Sequence, residues 1–182
     1  MTDAAVAIDA LFAGRETPVA RDLKLNLKKM VNDSSIAGTE ASLALLALAT
    51  SLEASALSDL ALTLLVGTEI TSDQVLEAKE SAAIMGMLNT YYRFRHFLSA
   101  GQGQAYVDEH YKSAGLRMNS LSRPALGKER FEMLALAVSV VNGCEMCVNA
   151  HEQELLKLGT SREKLHDLAR LAAVAKGVSA LR

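Results

Sequence analysis

Apolar residues make up half of the 182-residue chain and stand in long windows that are interrupted only by short polar or glycine-containing breaks. These windows are rich in Ala, Leu, Glu and Lys, which favour helices, and the whole chain contains only two prolines. The pattern therefore predicts an all-α fold. Candidate helices span residues 4–13, 19–31, 39–53, 55–66, 72–86, 87–99, 103–113, 128–141, 144–158 and 161–181.

The breaks in the last third of the chain have local causes. Asn142-Gly143 can adopt the left-handed backbone that ends a helix, and Gly159 can do the same for the next one. Ser161 then offers an N-cap hydroxyl to the final helix. The stretch SAGLRMNSLSRPALG, residues 113–127, is typical of a connector. We therefore expect a single domain over 1–182, built from an N-terminal half (1–115) and a C-terminal half (116–182).

The two halves resemble each other in sequence. LLALATSLEASALSDLALT, residues 45–63, aligns with MLALAVSVVNGCEMCVNAH, residues 133–151. Because Ala-rich helices match easily, an internal duplication is a hypothesis only. Opposite the cysteines and the histidine of the second segment, the first segment has Ala56, Asp59 and Thr63. If the two halves arose by duplication, the N-terminal half thus shares the core-packing residues of the C-terminal half but not its candidate catalytic residues.

The charge of the chain excludes some classes of partner. A net charge of −2 and a pI near 6.1 do not indicate a positively charged surface for binding nucleic acid or an anionic membrane, since such a surface needs clustered Lys and Arg. The N-terminal MTDAAVAIDALFAG has acidic residues where a secretory signal has basic ones. The longest apolar run, FEMLALAVSVV, is shorter than the roughly 20 residues of a membrane span. We expect a cytoplasmic protein whose partners are small molecules or proteins.

Both cysteines of the chain lie in NGCEMCVNAHE, residues 142–152. Stable disulfides are rare in the cytoplasm, so such a pair is more often catalytic, redox-active or metal-binding. If this segment is helical, Cys144, Cys147 and His151 share one face at i, i+3 and i+7. The glycine break brings the sulfurs close to the partly positive start of the helix, where a thiolate is stabilised. A reactive thiol is the expected result.

Glu132 is the only charged residue in FEMLALAVSVV, and its neighbours must face a core. With a tight Asn-Gly turn, the helices before and after it should run antiparallel. At about 1.5 Å per residue, Glu132 then lies about 15 Å before the turn, and His151 lies about 10 to 12 Å after it. The predicted order is Glu132, His151, Cys147, Cys144. A carboxylate that orients an imidazole beside a thiol is an arrangement suited to proton transfer.

Other interpretations of these residues remain open. Structural zinc usually takes four protein ligands, and here Cys144, Cys147 and His151 supply three, so His166 would have to supply the fourth. A thioredoxin-type site needs a strand before its CxxC, and no strand pattern precedes Cys144. Glu132 could instead pair with an arginine, because buried carboxylates are usually paired.

The other histidines are interpreted as ordinary surface or capping residues. They are His96, His110 and His166.

The motif of Glu132, CxxC and His151 resembles the alkyl hydroperoxide reductase D (AhpD) family, within the carboxymuconolactone decarboxylase-like superfamily. RDLKLNL, AAIMGMLNTYYRFRHFL and GLRMN also resemble this family, so the likeness covers most of the chain. It implies an all-helical homo-oligomer, with a trimer expected, built from two similar halves. Met146 stands where some members have a second histidine, so no role of that histidine carries over.

The resemblance also implies residue roles. Cys147 would be the thiol that reacts with peroxide and forms a sulfenic acid, and Cys144 would be its disulfide partner. Glu132 and His151 would form the proton relay.

The resemblance further implies a task in electron delivery. Electrons would come from dihydrolipoyl groups on a lipoylated acyltransferase and pass to the peroxiredoxin AhpC, beside a weak peroxidase activity on hydroperoxides. No bound metal, haem or flavin is expected. Regeneration by thiol-disulfide exchange implies a disulfide that a partner dithiol can reach. The alternative is a helical, oligomeric redox sensor or disulfide switch without peroxidase turnover.

Overall fold

The computed structural model describes residues 3–100 and 109–181. Within these ranges the chain forms α-helices and short 3₁₀ turns without a β-strand, so the all-α prediction is confirmed. The helices are α1 (Ala4–Leu11), α2 (Pro18–Asn32), α3 (Thr39–Ser51), α4 (Ser55–Leu65), α5 (Ser72–Ala100), α6 (Lys128–Val141), α7 (Glu145–Lys157) and α8 (Arg162–Ser179).

Helix α5 differs from its prediction. The sequence predicted two helices, 72–86 and 87–99, but the structure has one continuous helix from Ser72 to Ala100. Gly86 lies inside it, and a glycine in a helix interior costs only about 1 kcal/mol relative to alanine. The long neighbouring helical windows outweigh that cost. The helix therefore runs without interruption from Ser72 to Ala100.

Between α5 and α6 the structure describes residues 109–127, which are mostly irregular. The helix predicted over 103–113 lies partly outside the described residues, and within them only Glu109–Tyr111 forms a 3₁₀ turn. A second 3₁₀ turn, Asn119–Ser122, precedes α6. The carboxylate of Glu77 on α5 accepts hydrogen bonds from the N–H groups of Ala125 and Leu126, at 2.9 and 2.6 Å. These bonds attach the connector to α5 just before α6 begins.

Two helices form the centre of the core. Residues 41–49 of α3 and 133–139 of α6 are buried without exception. A helix that is apolar on all sides belongs in the interior, which explains the long apolar windows in both segments. Helix α3 packs on α4, α5, α6 and α8, and α6 packs on α5, α7 and α8. The rigid support for the cysteine segment in α7 therefore comes from α6 and α5.

None of the helices in the described part of the chain is both long enough and apolar enough to cross a membrane.

Candidate active site on the α6–α7 hairpin

A tight turn joins α6 to α7 and determines where the cysteines lie. Asn142 caps the end of α6, and Gly143 adopts a left-handed φ of +64°. The N–H of Cys144 reaches back to the carbonyl oxygen of Ser139 at 3.1 Å, a six-to-one bond that closes the helix end. Cys144 is in turn the N-cap of α7. The glycine thus allows α7 to begin directly after α6 ends.

The end of α3 makes the same kind of turn. Glu53 has a φ of +52°, and the N–H of Ala54 donates to the carbonyl oxygen of Ala49 at 2.9 Å. Matched by these turns, Cys144 corresponds to Ala54, two residues before the Ala56 that the sequence alignment places opposite it. The turn after α3, in the N-terminal half, has Ala54 and not a cysteine at this position.

Cys144 and Cys147 form a disulfide, with their Cα atoms 5.3 Å apart. Cys147 is the third residue of α7, so both sulfurs belong to its N-terminal end, as the sequence predicted. Cys144 is 1% exposed and Cys147 is 6% exposed. Both residues of the disulfide are therefore largely buried in this conformation, and Cys147 is the more exposed of the two.

Glu132 and His151 are in direct contact across the hairpin. The Nδ1 atom of His151 lies 2.7 Å from Oε2 of Glu132, and the two side chains are only 18% and 19% exposed. The antiparallel geometry places Glu132 further from the turn than His151. The long side chain of Glu132 spans this difference in distance along the hairpin. The partner of this carboxylate is thus a histidine and not an arginine.

The arrangement is suited to proton transfer beside a sulfur. His151 follows Cys147 by four residues, so the two side chains lie one above the other on the same face of α7. With Nδ1 held by the carboxylate, Nε2 is the ring nitrogen left to exchange a proton elsewhere. Acid, imidazole and disulfide therefore follow one another along the hairpin.

A buried hydrogen-bond network fixes the turn from the side of α5. The Asn89 side chain, 1% exposed, donates to the hydroxyl of Ser139 at 2.9 Å and accepts from the amide of Asn142 at 2.9 Å. Ser51 at the end of α3 donates to the Asn142 side chain at 3.3 Å. Because buried amides are costly to leave unpaired, this network favours one geometry of the turn.

Two basic residues of α5 also meet the hairpin. The Arg93 guanidinium donates from Nη1 to the carbonyl oxygen of Asn142 at 2.6 Å. Nε2 of His96 lies 3.3 Å from the carboxylate of Glu145, the residue that directly follows Cys144. His96 is partly exposed, as expected of a surface residue, but its contact with the CxxC segment was not predicted.

Sequence reasoning missed these α5 residues because nothing local marks them. Asn89 and Arg93 lie about 50 positions before their partners, at separations of 50, 53 and 49 residues. The one available signal is the density of basic and aromatic residues in YYRFRHF, which by itself indicates no particular contact.

A second connection holds the far ends of the hairpin together. Lys128, the first residue of α6, pairs with Glu154 near the end of α7. Their hydrogen bond lowers the pKa of Glu154 and raises the pKa of Lys128. Thr160, after α7, donates to the carboxylate of Glu129 at 2.8 Å. These contacts close the hairpin at the end where Glu132 and His151 meet.

In the described ranges, 3–100 and 109–181, no three His, Cys, Asp or Glu side chains are grouped in a way that could hold a metal ion. His166, the fourth ligand considered for zinc, is exposed on α8.

Comparison with known proteins gives consistent matches. A family model described as the carboxymuconolactone decarboxylase family matches residues 110–182. A curated protein of Anaeromyxobacter dehalogenans strain 2CP-1, named Alkyl hydroperoxide reductase AhpD, is 40% identical over 173 residues, covering 92% of this chain and 86% of the relative. The protein of the same name from Streptomyces coelicolor is 36% identical over 164 residues, covering 87% and 85%.

Proposed function

Because the chain belongs to the AhpD family of alkyl hydroperoxide reductases, within the carboxymuconolactone decarboxylase-like superfamily, we propose that it reduces hydroperoxides with its cysteine pair. The observation that carries the proposal is the contact between Glu132 and His151, one helical turn from Cys147. A structural disulfide needs neither a carboxylate nor an imidazole beside it. A peroxide-reducing thiol needs both a base and a proton donor.

The first half of the proposed cycle reduces the disulfide. A thiolate of the donor dithiol attacks one sulfur of the pair, the bond between Cys144 and Cys147 breaks, and a mixed disulfide forms. The second donor thiol then displaces the protein sulfur and leaves as a cyclic disulfide. Two electrons and two protons have passed to the protein, which now carries two thiols.

The second half consumes the peroxide. The thiolate of Cys147 attacks the terminal oxygen of the hydroperoxide, the O–O bond breaks, and the alkoxide leaves as an alcohol after taking a proton. Cys147 is then a sulfenic acid, and the thiol of Cys144 attacks its sulfur and releases water. The disulfide is restored, and one hydroperoxide has become one alcohol and one water.

Two features support Cys147 as the peroxide-reacting thiol and Cys144 as its partner. Cys147 is the more exposed of the two, at 6% against 1%. It also precedes His151 by one turn, whereas Cys144 is two turns away. In this proposal His151 moves the proton, and Glu132 keeps the imidazole oriented and stabilises its charged form.

We propose that the physiological donor is the dihydrolipoyl group of a lipoylated acyltransferase and that the acceptor is the peroxiredoxin AhpC. The family resemblance supports both partners, and the cytoplasm is the proposed compartment. Transfer to a peroxiredoxin disulfide uses the same exchange chemistry as the first half-cycle, with this chain now as the donor.

We also propose a homo-oligomer, with a trimer as the expected form. Large apolar side chains are exposed near the end of α5, with Phe97 at 66% and Phe94 at 44%. Phe94 and Phe97 lie three residues apart on the same side of α5, and an exposed apolar patch typically marks an interface. Light scattering on the purified protein measures the number of chains directly.

The test of the function is a matched pair of cysteine variants. Cys147→Ser should abolish peroxide turnover with dihydrolipoamide and should form no sulfenic acid. Cys144→Ser should also stop turnover, but peroxide should convert Cys147 to a sulfenic acid that a dimedone probe traps. Unchanged turnover in Cys147→Ser, or trapping in the opposite variant, contradicts the assignment. A wild-type disulfide that cycles without consuming peroxide would indicate a redox switch instead.

A further inference from the structure

The hairpin brings opposite helix ends together at the cysteines. The C-terminal end of α6 carries a partial negative charge and the N-terminal end of α7 a partial positive charge, and only the turn at 142–144 separates them. At this position the end of α6 opposes the stabilisation that α7 gives to a thiolate. A thiolate at Cys144 or Cys147 would benefit if a cation neutralised the α6 end.

Arg93 is positioned to provide that charge. Its guanidinium donates at 2.6 Å to the carbonyl oxygen of Asn142, the C-cap of α6 and the residue two before Cys144. The guanidinium keeps its charge throughout the range in which thiols titrate. The hydrogen bond thus places a permanent positive charge at the negative end of α6.

Other charged groups also surround the turn. His96 on α5 faces Glu145 of α7, and on the α6 side Glu132 faces His151. Both are acid–imidazole pairs. Glu53, two residues after the end of α3, lines the same solvent-open cavity of about 370 Å³ as Arg93, so water screens part of the Arg93 charge. Arg93 differs from these pairs in that its partner is a backbone carbonyl oxygen and not a carboxylate.

We propose that Arg93 is a positioning residue that stabilises the thiolate form of the reduced cysteine pair. It acts through the carbonyl oxygen of Asn142 and touches no substrate. This inference rests on the proposed function, because it assumes that the pair is redox-active. Its test uses the alkylation of reduced thiols, which requires no peroxide, so the two hypotheses can fail separately.

Two substitutions separate charge from simple capping of α6. Arg93→Gln keeps a hydrogen-bond donor for Asn142 but removes the charge, whereas Arg93→Lys keeps both. If charge is decisive, the reduced Arg93→Gln protein should be alkylated roughly three- to ten-fold more slowly than wild type near neutral pH, and Arg93→Lys should be close to wild type. Arg21→Gln, which removes an exposed cation on α2, is the control and should change nothing.

The measurement is the rate of reaction with a small bimane reagent after complete reduction, with unfolding by urea followed in parallel. In about 1 M KCl the deficit of Arg93→Gln should shrink, because salt screens the charge. Equal rates in Arg93→Gln and wild type overturn the proposal. Equally slow rates in Arg93→Gln and Arg93→Lys also overturn it, since the guanidinium geometry and not the charge would then matter.

Discussion

Replacing Glu132 with glutamine tests the acid–imidazole pair most directly. The substitution keeps the shape of the side chain and an oxygen that can accept from Nδ1 of His151, but it removes the negative charge. The contact is 2.7 Å long, and the side chains are 18% and 19% exposed. If Glu132 stabilises the imidazolium as it takes up the thiol proton, peroxide turnover should fall while the fold is retained.

The size of the effect follows from the geometry. Two unit charges about 4 Å apart interact by about 4 kcal/mol at an effective dielectric constant of about 20. Because each side chain keeps some contact with water, we take about half of this value. A loss of about 2 kcal/mol in the transition state corresponds to a turnover about 30-fold slower.

The assay is the consumption of a hydroperoxide with dihydrolipoamide as donor, measured across the neutral pH range. Glu129→Gln is the matched control, because Glu129 lies on the same helix and accepts a hydrogen bond from Thr160 instead of contacting His151. We expect Glu129→Gln to turn over at the wild-type rate. Wild-type turnover in Glu132→Gln, or an equal loss in both variants, would refute the reasoning.

Further substitutions test the support of the site. Gly143→Ala forces a side chain into a φ of +64° and should lower the free energy of unfolding by about 1 kcal/mol in urea titrations. Asn89→Ala removes a buried amide from the turn network and should cost about 1–3 kcal/mol in the same titrations. Leu48→Ala opens a cavity at a fully buried position of α3 and should cost about 2–5 kcal/mol. Burial raises the pKa of Asp167, but hydrogen bonds from the N–H and hydroxyl of Ser35 and from Arg170 lower it below 3.8 overall. The stability from this ionised carboxylate is therefore present above the unfolded pKa and is lost as the pH falls, so the destabilisation by Asp167→Asn should be smaller at about pH 3 than at about pH 7.

The hairpin was the part of the site that the sequence predicted well. An Asn-Gly break, a CxxC at the start of a helix and one charge in an apolar run are all local signals, and they lie within about 20 residues of one another. Antiparallel geometry then required Glu132 and His151 to approach each other. Local chemistry and a short connection were sufficient to derive this contact.

The errors came from interactions that local patterns do not encode. The pattern predicts a helix break at Gly86 because it does not show how strongly the flanking helical turns are packed, whereas α5 continues through this residue. The turns after α3 and α6 match in a register two residues from that of the sequence alignment, because Ala-rich helices align equally well in several registers. Only the hydrogen bonds at Ala54 and Cys144 define the register. Arg93 could not be assigned because its partner is a backbone carbonyl, which carries no sequence signature.

The near-complete burial of the two cysteines makes molecular size a determinant of reactivity. A small oxidant needs contact with only one sulfur, and Cys147 is the more exposed residue of the pair at 6%. A dithiol carried on a protein must align three sulfur atoms in a row, which needs more access than two residues at 1% and 6% exposure provide. We therefore expect that a protein-bound dithiol reduces the disulfide only after the first turn of α7 has loosened. The rate of this reduction should then depend more steeply on temperature than the rate of oxidation by peroxide does.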